Sequence, residues 1–349
     1  MRVDWDSTFE AVPRGAFAPD RLFHDGEWID RSEQPQRWAE LVASDIALTT
    51  QLDDGGNGNG TPTSSSSQPK VVRFMLHHLG AERGMRVLDV GTGTGWTAAL
   101  LAHGLGDGNV TTIEVDPTVA AQAHERLKRS GLHPRTVIGD GYAGHPDGAP
   151  YDRVHATAAV QRVPRAWIEQ TRPGGIILVP FGTPYCNGAL LKLVVGEDGS
   201  AAGTFVEDVA FMWVRSQRPD SKPFDVDDVR YSPSTVDPCD VQQTHAAAFA
   251  IGLRLPGVTS MEVWAEHARW GTGRSEVWDG TSYAHCRYAD WDAPHAVVES
   301  GPRDLWSELS GAYRWWDAAG RPGIERFGLT VTPDGHQTAW LDDPGQPVN

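Results

Sequence analysis

The stretch MRVLDVGTGTGW (residues 85–96) decides the fold. A short apolar run, MRVLDV, gives way to glycines at alternate positions, Gly91, Gly93 and Gly95. The following residues, GWTAALLAHGLG, carry apolar side chains at helical spacing. A strand, a glycine turn and a helix in that order let the backbone turn tightly and approach a ligand. The helix N-terminus then offers it free N–H groups. A dinucleotide fingerprint wants glycine or alanine at position 96 for close helix packing. Trp96 stands there instead, so the loop disfavours a pyrophosphate ligand.

Outward from this loop, strands and helices alternate. NVTTIEVD, RTVIGD, YDRVHAT and GGIILVPF read as strands, and KVVRFMLHHLG, PTVAAQAHERLKRSG and PRAWIEQT as helices. Pro117 sits in the first turn of the second helix and Gly131 just past its end. Alternation of this kind predicts an α/β fold with a doubly wound, mostly parallel sheet. Residues 189–209 read as a hairpin closing one sheet edge. Glu114 ends the second strand, where it can accept hydrogen bonds from ribose hydroxyls. Asp140 and Gly141 follow the third, near an adenine edge. Together these describe an adenosine ligand without a pyrophosphate, and S-adenosylmethionine is the common one. The fold expected is therefore that of a class I S-adenosylmethionine-dependent methyltransferase. Its candidate cofactor residues are Asp89, Gly91, Thr92, Gly93, Thr94, Gly95, Glu114, Val115, Asp140 and Gly141.

Composition narrows the function classes. The 349 residues carry a formal net charge of −16, a field that repels phosphate backbones and argues against nucleic acid as a partner. Cys186, Cys239 and Cys286 are far apart with no CxxC pair, which fits a reducing cytoplasm and no zinc site. No basic-then-apolar leader opens the chain, and no apolar run approaches the ~18 residues of a membrane span. A soluble, cytoplasmic protein without a metal is expected.

Three segments divide the chain. Residues 1–70 read as a helical N-terminal part with a Gly/Asn/Ser/Thr loop, and 71–212 as the cofactor-binding domain. Residues 213–349 read as an added C-terminal α+β extension, entered through the polar stretch RSQRPDSKPFDVDD. From Trp213 on lie nine of the fourteen tryptophans, one clear helix at residues 304–320, and a hairpin turning at Pro333-Asp334-Gly335. The aromatic residues are read as core, with a peptide-binding wall as the functional alternative. If the tail is such a wall, a chain ending near residue 212, provided it folds, is expected to keep the cofactor and lose the peptide.

VLDVGTGTGW, GDGYAG, APYDRVHATAAV, RPGGIILVPFG and, near the N-terminus, AVPRGAF (residues 11–17) resemble the protein L-isoaspartate O-methyltransferase family over about residues 8–185. The family's Ser-Ala-Pro-His is replaced here by Ser67-Gln68-Pro69-Lys70, behind the longer segment TTQLDDGGNGNGTPTSSSSQP. That loop and the tail resemble a branch accompanying ATP-grasp ligases in the biosynthesis of graspetides, ribosomal peptides with side-chain crosslinks. The resemblance implies methylation of an aspartate carboxylate in such a modified precursor peptide, followed by collapse to an aspartimide. Repair of L-isoaspartyl residues in proteins is the alternative. It also makes Ser67 the residue that holds the acceptor carboxylate, with Ser66, Gln68 and Thr157 as substrate neighbours. Gly55 to Gly60 read as a mobile tip, and Ser64 to Ser66 are open between linker and site. A carboxylate with a pKa of about 3.9 is already nucleophilic at neutral pH, so no general base is expected, and His77, His78 and His155 are set aside.

Overall fold

The computed structural model describes residues 1–219, 228–242, 244–263 and 273–348. Eight positions of the expected polar linker, 220–227, lie outside the described residues.

The N-terminal part is where structure and sequence reading part. Around helices α1 (Trp5–Ala11) and α2 (Pro35–Ala43) runs a four-stranded sheet: β1 (Arg21–His24), β2 (Glu27–Asp30), β3 (Leu48–Leu52) and β4 (Pro62–Ser66), in the order β2-β1-β3-β4. Leu22, Ile29, Trp38 and Leu48 form its small core. The serine run is not slack. Thr49 pairs with Ser65 and Leu48 with Ser66 across the β3–β4 hairpin. Helix α3 (Pro69–Leu79) follows, started by Pro69 and stopped by Gly80 in the left-handed conformation.

From there the chain alternates as read: β5 (Val87–Val90), α4 (Trp96–Leu105), β6 (Val110–Glu114), α5 (Pro117–Arg129), β7 (Arg135–Ile138), β8 (Tyr151–Ala156), α6 (Arg165–Glu169) and β9 (Thr171–Gly182). Asp116 caps α5 by accepting the Thr118 and Val119 N–H groups, ahead of Pro117. β9, β8, β5, β6 and β7 are parallel neighbours. Strand order reverses at β5, and ligands of open α/β sheets bind in the crevice at such a switch point.

The hairpin of β10 (Asn187–Val195) and β11 (Ala201–Asp208) does not close the sheet. The chain leaves it for a second sheet and returns. In between come β12 (Arg230–Ser232), α7 (Pro238–Val241), α8 (His245–Arg254), β13 (Thr259–Val263), β14 (Arg274–Trp278), β15 (Tyr283–Arg287), β16 (Val297–Ser300) and α9 (Leu305–Ala318). Then β17 (Phe327–Val331) pairs with β11, and β18 (Gln337–Leu341) becomes the edge. The main sheet is thus mixed, nine strands among the described residues. The extension's own sheet runs β12-β16-β15-β14-β13.

One hydrophobic core crosses the boundary at residue 213. Phe181, Phe205, Phe249 and Phe327 stack in series, with centroids 5.5, 4.8 and 6.1 Å apart. Trp306 and Trp316 are buried in the same core. A chain ending near residue 212 would therefore expose Phe205 and the β11 edge. The expectation that such a piece keeps the cofactor applies only to a piece that folds, and the core it would need is shared with the extension.

The extension's sheet also holds a misplaced charge. Ser275 Oγ donates to Glu262 Oε1 at 3.0 Å, and burial pushes the Glu262 carboxyl up to about 7. An unfolded glutamate ionises near 4.3 while the folded one resists until about 7, so stability is fullest below the lower value and declines as pH rises between them. Glu262→Gln should then be more stable than the wild type at pH 8 by about 1–2 kcal/mol, allowing for partial solvent screening, and equal to it at pH 4. Urea denaturation at the two pH values checks this; a variant weaker at pH 8 would refute it.

Candidate functional site

The C-terminal ends of β5, β6, β7 and β8 open into a cleft of about 460 Å³. Its floor is the glycine loop. Gly91 has φ +96°, and a β-carbon there would stand 2.9 Å from Thr157 Oγ1. Thr157 in turn donates to the Gly91 carbonyl at 2.8 Å. Gly95, at φ +90°, lets α4 start against Ala123 of α5, where a β-carbon would lie at 3.3 Å. Trp96, the residue that breaks the dinucleotide pattern, donates from Nε1 to the Val12 carbonyl and packs edge-on against Phe9. It ties the loop's helix to the N-terminal segment.

Glu114 stands at the end of β6. Its Oε2 accepts the Gly93 N–H at 2.9 Å and its Oε1 the Asp116 N–H at 3.1 Å. Burial nonetheless pushes its carboxyl above the usual glutamate range. Asp140 accepts the Tyr142 N–H at 2.9 Å, which shapes the turn containing Gly141. Gly91, Gly93, Glu114, Val115, Asp140, Gly141 and Thr157 all line the cleft, and Ser67 and Gln68 line it too.

The other candidates are placed elsewhere. Asp89 is fully buried, accepting from Thr112 Oγ1 and His155 Nδ1 at 2.9 Å each. Thr92 meets Thr112 at 2.7 Å, so Asp89 reaches the loop only through a chain of hydroxyls. Thr94 is buried, and neither it nor Gly95 is among the lining residues. Ser66 departs most from its expected role. It is turned away from the cleft, 1% exposed, and its hydroxyl accepts Arg14 Nε at 3.0 Å. Thr63, Ser64, Ser65 and Ser67 line the cleft while Ser66 is drawn to the other side by Arg14, so the strand, whose register shifts along the β3–β4 pairing, does not follow a plain alternation.

Arg14, from the AVPRGAF stretch, is the hidden organiser of this rim. Besides Ser66 Oγ, it donates to the carbonyls of Ser44, Ile46 and Ser66 at 3.2, 2.8 and 2.8 Å. Burial holds its guanidinium down to about 10. Gln68 is anchored by its amide on Asp45, which also accepts the Lys70 N–H.

Sequence reading missed the upper half of the cleft. Thr49, Gln51 and Thr63 from the hairpin face Phe211, Met212, Trp213, Arg215 and Arg218 from the segment after β11. The partners of this half lie far apart in sequence, and no local pattern links them.

This fold, with its glycine loop, acidic β6 end and switch-point cleft, defines a class I S-adenosylmethionine-dependent methyltransferase. Residues 7–218 match the model of the protein-L-isoaspartate(D-aspartate) O-methyltransferase family, and the chain belongs to that family. The protein-L-isoaspartate O-methyltransferase of Ignicoccus hospitalis is 42% identical over 135 residues, 38% of this chain and 64% of that protein. That of Pyrococcus horikoshii is 38% identical over 135 residues, 38% of this chain and 61% of that one. The chain thus spans less than two thirds of these relatives' length. A solved protein-L-isoaspartate O-methyltransferase aligns with 97% of this chain and 95% of its own at 18% identity, with a TM-score of 0.54. The shared fold therefore takes in the C-terminal extension, which does not by itself set this chain apart from proteins of that name.

Proposed function

We propose that the chain is a carboxyl O-methyltransferase that esterifies the free carboxylate of L-isoaspartyl residues in peptides or proteins. The observation that carries this reading is that the glycine loop, Glu114 and Ser67 meet in one cleft. S-adenosylmethionine supplies an electrophilic methyl when bound. Each Glu114 oxygen accepts one backbone N–H and keeps a lone pair that would serve a ribose hydroxyl, while Asp140 and Val115 line the same cleft and would hold the adenine. The acceptor carboxylate needs orientation and not deprotonation. The Ser67 hydroxyl is half-buried and has no hydrogen bond among the described residues, so it can donate to a carboxylate oxygen without neutralising it. The protein's free cysteines suit a reducing cytoplasm.

Ser67→Ala tests the assignment. A hydrogen bond to a charged acceptor contributes ~1.5–3 kcal/mol, so kcat should fall roughly ten- to a hundredfold. The calorimetric affinity for S-adenosylmethionine should stay within about twofold. Equal loss of both would move Ser67 into the cofactor pocket.

A second substrate reading, aspartate in a crosslinked ribosomal peptide, is favoured by one feature, the Ser67-Gln68-Pro69-Lys70 sequence behind the long β3–β4 hairpin. The two readings separate in one competition. An L-isoaspartyl peptide and a precursor peptide crosslinked by an ATP-grasp ligase are offered together with S-adenosylmethionine and followed by mass spectrometry. The repair reading expects the isoaspartyl peptide to gain a methyl and then lose methanol. The second reading expects that sequence on the crosslinked peptide, ending in an aspartimide.

A further inference from the structure

The hairpin tip is fastened across the cleft. Asp53 closes it by accepting the Gly60 and Thr61 N–H groups at 2.9 Å each. Asp54, next to it and held at φ +55°, points the other way, to the far rim. Arg218 grips it with two bonds, of 2.8 and 3.0 Å, and Arg215 Nε lies 3.0 Å from its Oδ1. The second end of Arg215 reaches Asp116 Oδ2 at 3.0 Å, and Gln51 Nε2, from the hairpin, reaches the same oxygen at 3.0 Å. Asp116 is two residues beyond Glu114. The contacts therefore run from hairpin to rim directly beside the acidic residue that ends β6.

We propose that Asp54, Arg215 and Arg218 form an electrostatic clasp that holds the β3–β4 hairpin over the cofactor, so that S-adenosylmethionine and its product S-adenosylhomocysteine exchange only when it opens. The inference rests on the cofactor reading above. The geometry suits a reversible fastening. Asp54, Arg215 and Arg218 are each about a third exposed, so their pairs are individually weak and sensitive to salt. Asp54 has no hydrogen bond to the glycine loop, and its loss leaves Glu114 with its own partners, the Gly93 and Asp116 N–H groups. A clasp of this kind changes how fast the cleft fills and empties, and changes equilibrium affinity little, because closing is not itself a contact with the ligand.

Stopped-flow exchange of S-adenosylhomocysteine, read by the fluorescence of Trp213 in the cleft wall, tests this on the full chain. In Asp54→Asn, and independently in Asp54→Ala, association and dissociation rates should both rise, by about fivefold, with Kd within about twofold. Raising salt should speed wild-type exchange and leave Asp54→Asn unchanged. Hydrogen exchange of the amides at residues 54–61, measured without cofactor, should quicken in both variants. Faster dissociation with unchanged association, or amides that quicken while cofactor exchange does not, would overturn the clasp. A wild type that binds no S-adenosylhomocysteine would instead overturn the cofactor reading beneath it.

Discussion

Replacing Glu114 with alanine should weaken S-adenosylmethionine binding by at least tenfold. Two ribose hydroxyls lose an ionised acceptor, each such bond contributing ~1.5–3 kcal/mol. The loop loses a support as well, because Glu114 Oε2 holds the Gly93 N–H. Glu114→Gln should be nearly as damaging, for a reason specific to this geometry. Both carboxylate oxygens accept backbone N–H groups, from Gly93 and Asp116. A glutamine has one acceptor oxygen, so its NH2 must face one of those donors. The pH dependence has a definite sign. Burial raises the Glu114 carboxyl, and only its ionised form is an acceptor on both oxygens. Wild-type affinity should be level at high pH and fall as pH drops through that raised value. The fall should begin at a higher pH than for an unburied glutamate, whose pKa is about 4.3. Calorimetry across pH checks all three statements; unchanged binding in Glu114→Ala would sink the cofactor assignment.

The parallel half of the molecule was legible because each of its elements announces itself locally. Val87–Val90 is a short strand that is apolar but for Asp89, and Pro117 with Asp116 before it marks a helix start without reference to any distant residue. The N-terminal sheet was missed although one of its turns is plain in the sequence. Asp25 and Gly26, at φ +49° and +82°, are a two-residue hairpin turn joining strands of only four residues each. RLFH and EWID are too short to show a period of two, and helical texture on either side outweighed them. The serine run failed differently. Its pattern is that of a linker, and what makes it a strand is its pairing with Leu48–Leu52 and the guanidinium beneath Ser66. The rim residues Gln51, Asp54, Arg215 and Arg218 could not have been grouped at all, since the hairpin and the segment after β11 meet only in the fold. The change of texture at Trp213 reads as the start of an added extension, yet β17 returns to the main sheet against β11. A change in texture marks a change in local structure and says nothing about where a later strand will pair.

Arg14→Met should be the most destabilising of the substitutions considered, by about 2–4 kcal/mol in urea denaturation. Four hydrogen bonds from one side chain join β4 to the segment between α2 and β3: to Ser66 Oγ and the carbonyls of Ser44, Ile46 and Ser66. Removing the donor strands acceptors in a buried place, at about 1–3 kcal/mol for each one left without a partner. Some of that is offset, because Arg14 is a buried cation with no carboxylate in contact, and its own desolvation is relieved. Methionine keeps the packing of the aliphatic stem, so the remaining loss belongs to the hydrogen bonds. Arg14→Lys should recover less than half of it. An ammonium is a compact charge on a flexible stem and cannot reproduce a planar fork that serves three backbone carbonyls and a hydroxyl. A second consequence follows along the chain. Ser67 is the next residue after the one Arg14 grips, and its place at the cleft depends on Ser66 staying turned inward. In a folded Arg14→Lys protein, methyl transfer should therefore fall by more than cofactor affinity does, since Gly93 and Glu114 hold each other independently of this rim. A Met variant as stable as the wild type would show that the β3–β4 hairpin is held by its own pairing, and a Lys variant with unaltered kcat would separate Arg14 from the positioning of Ser67.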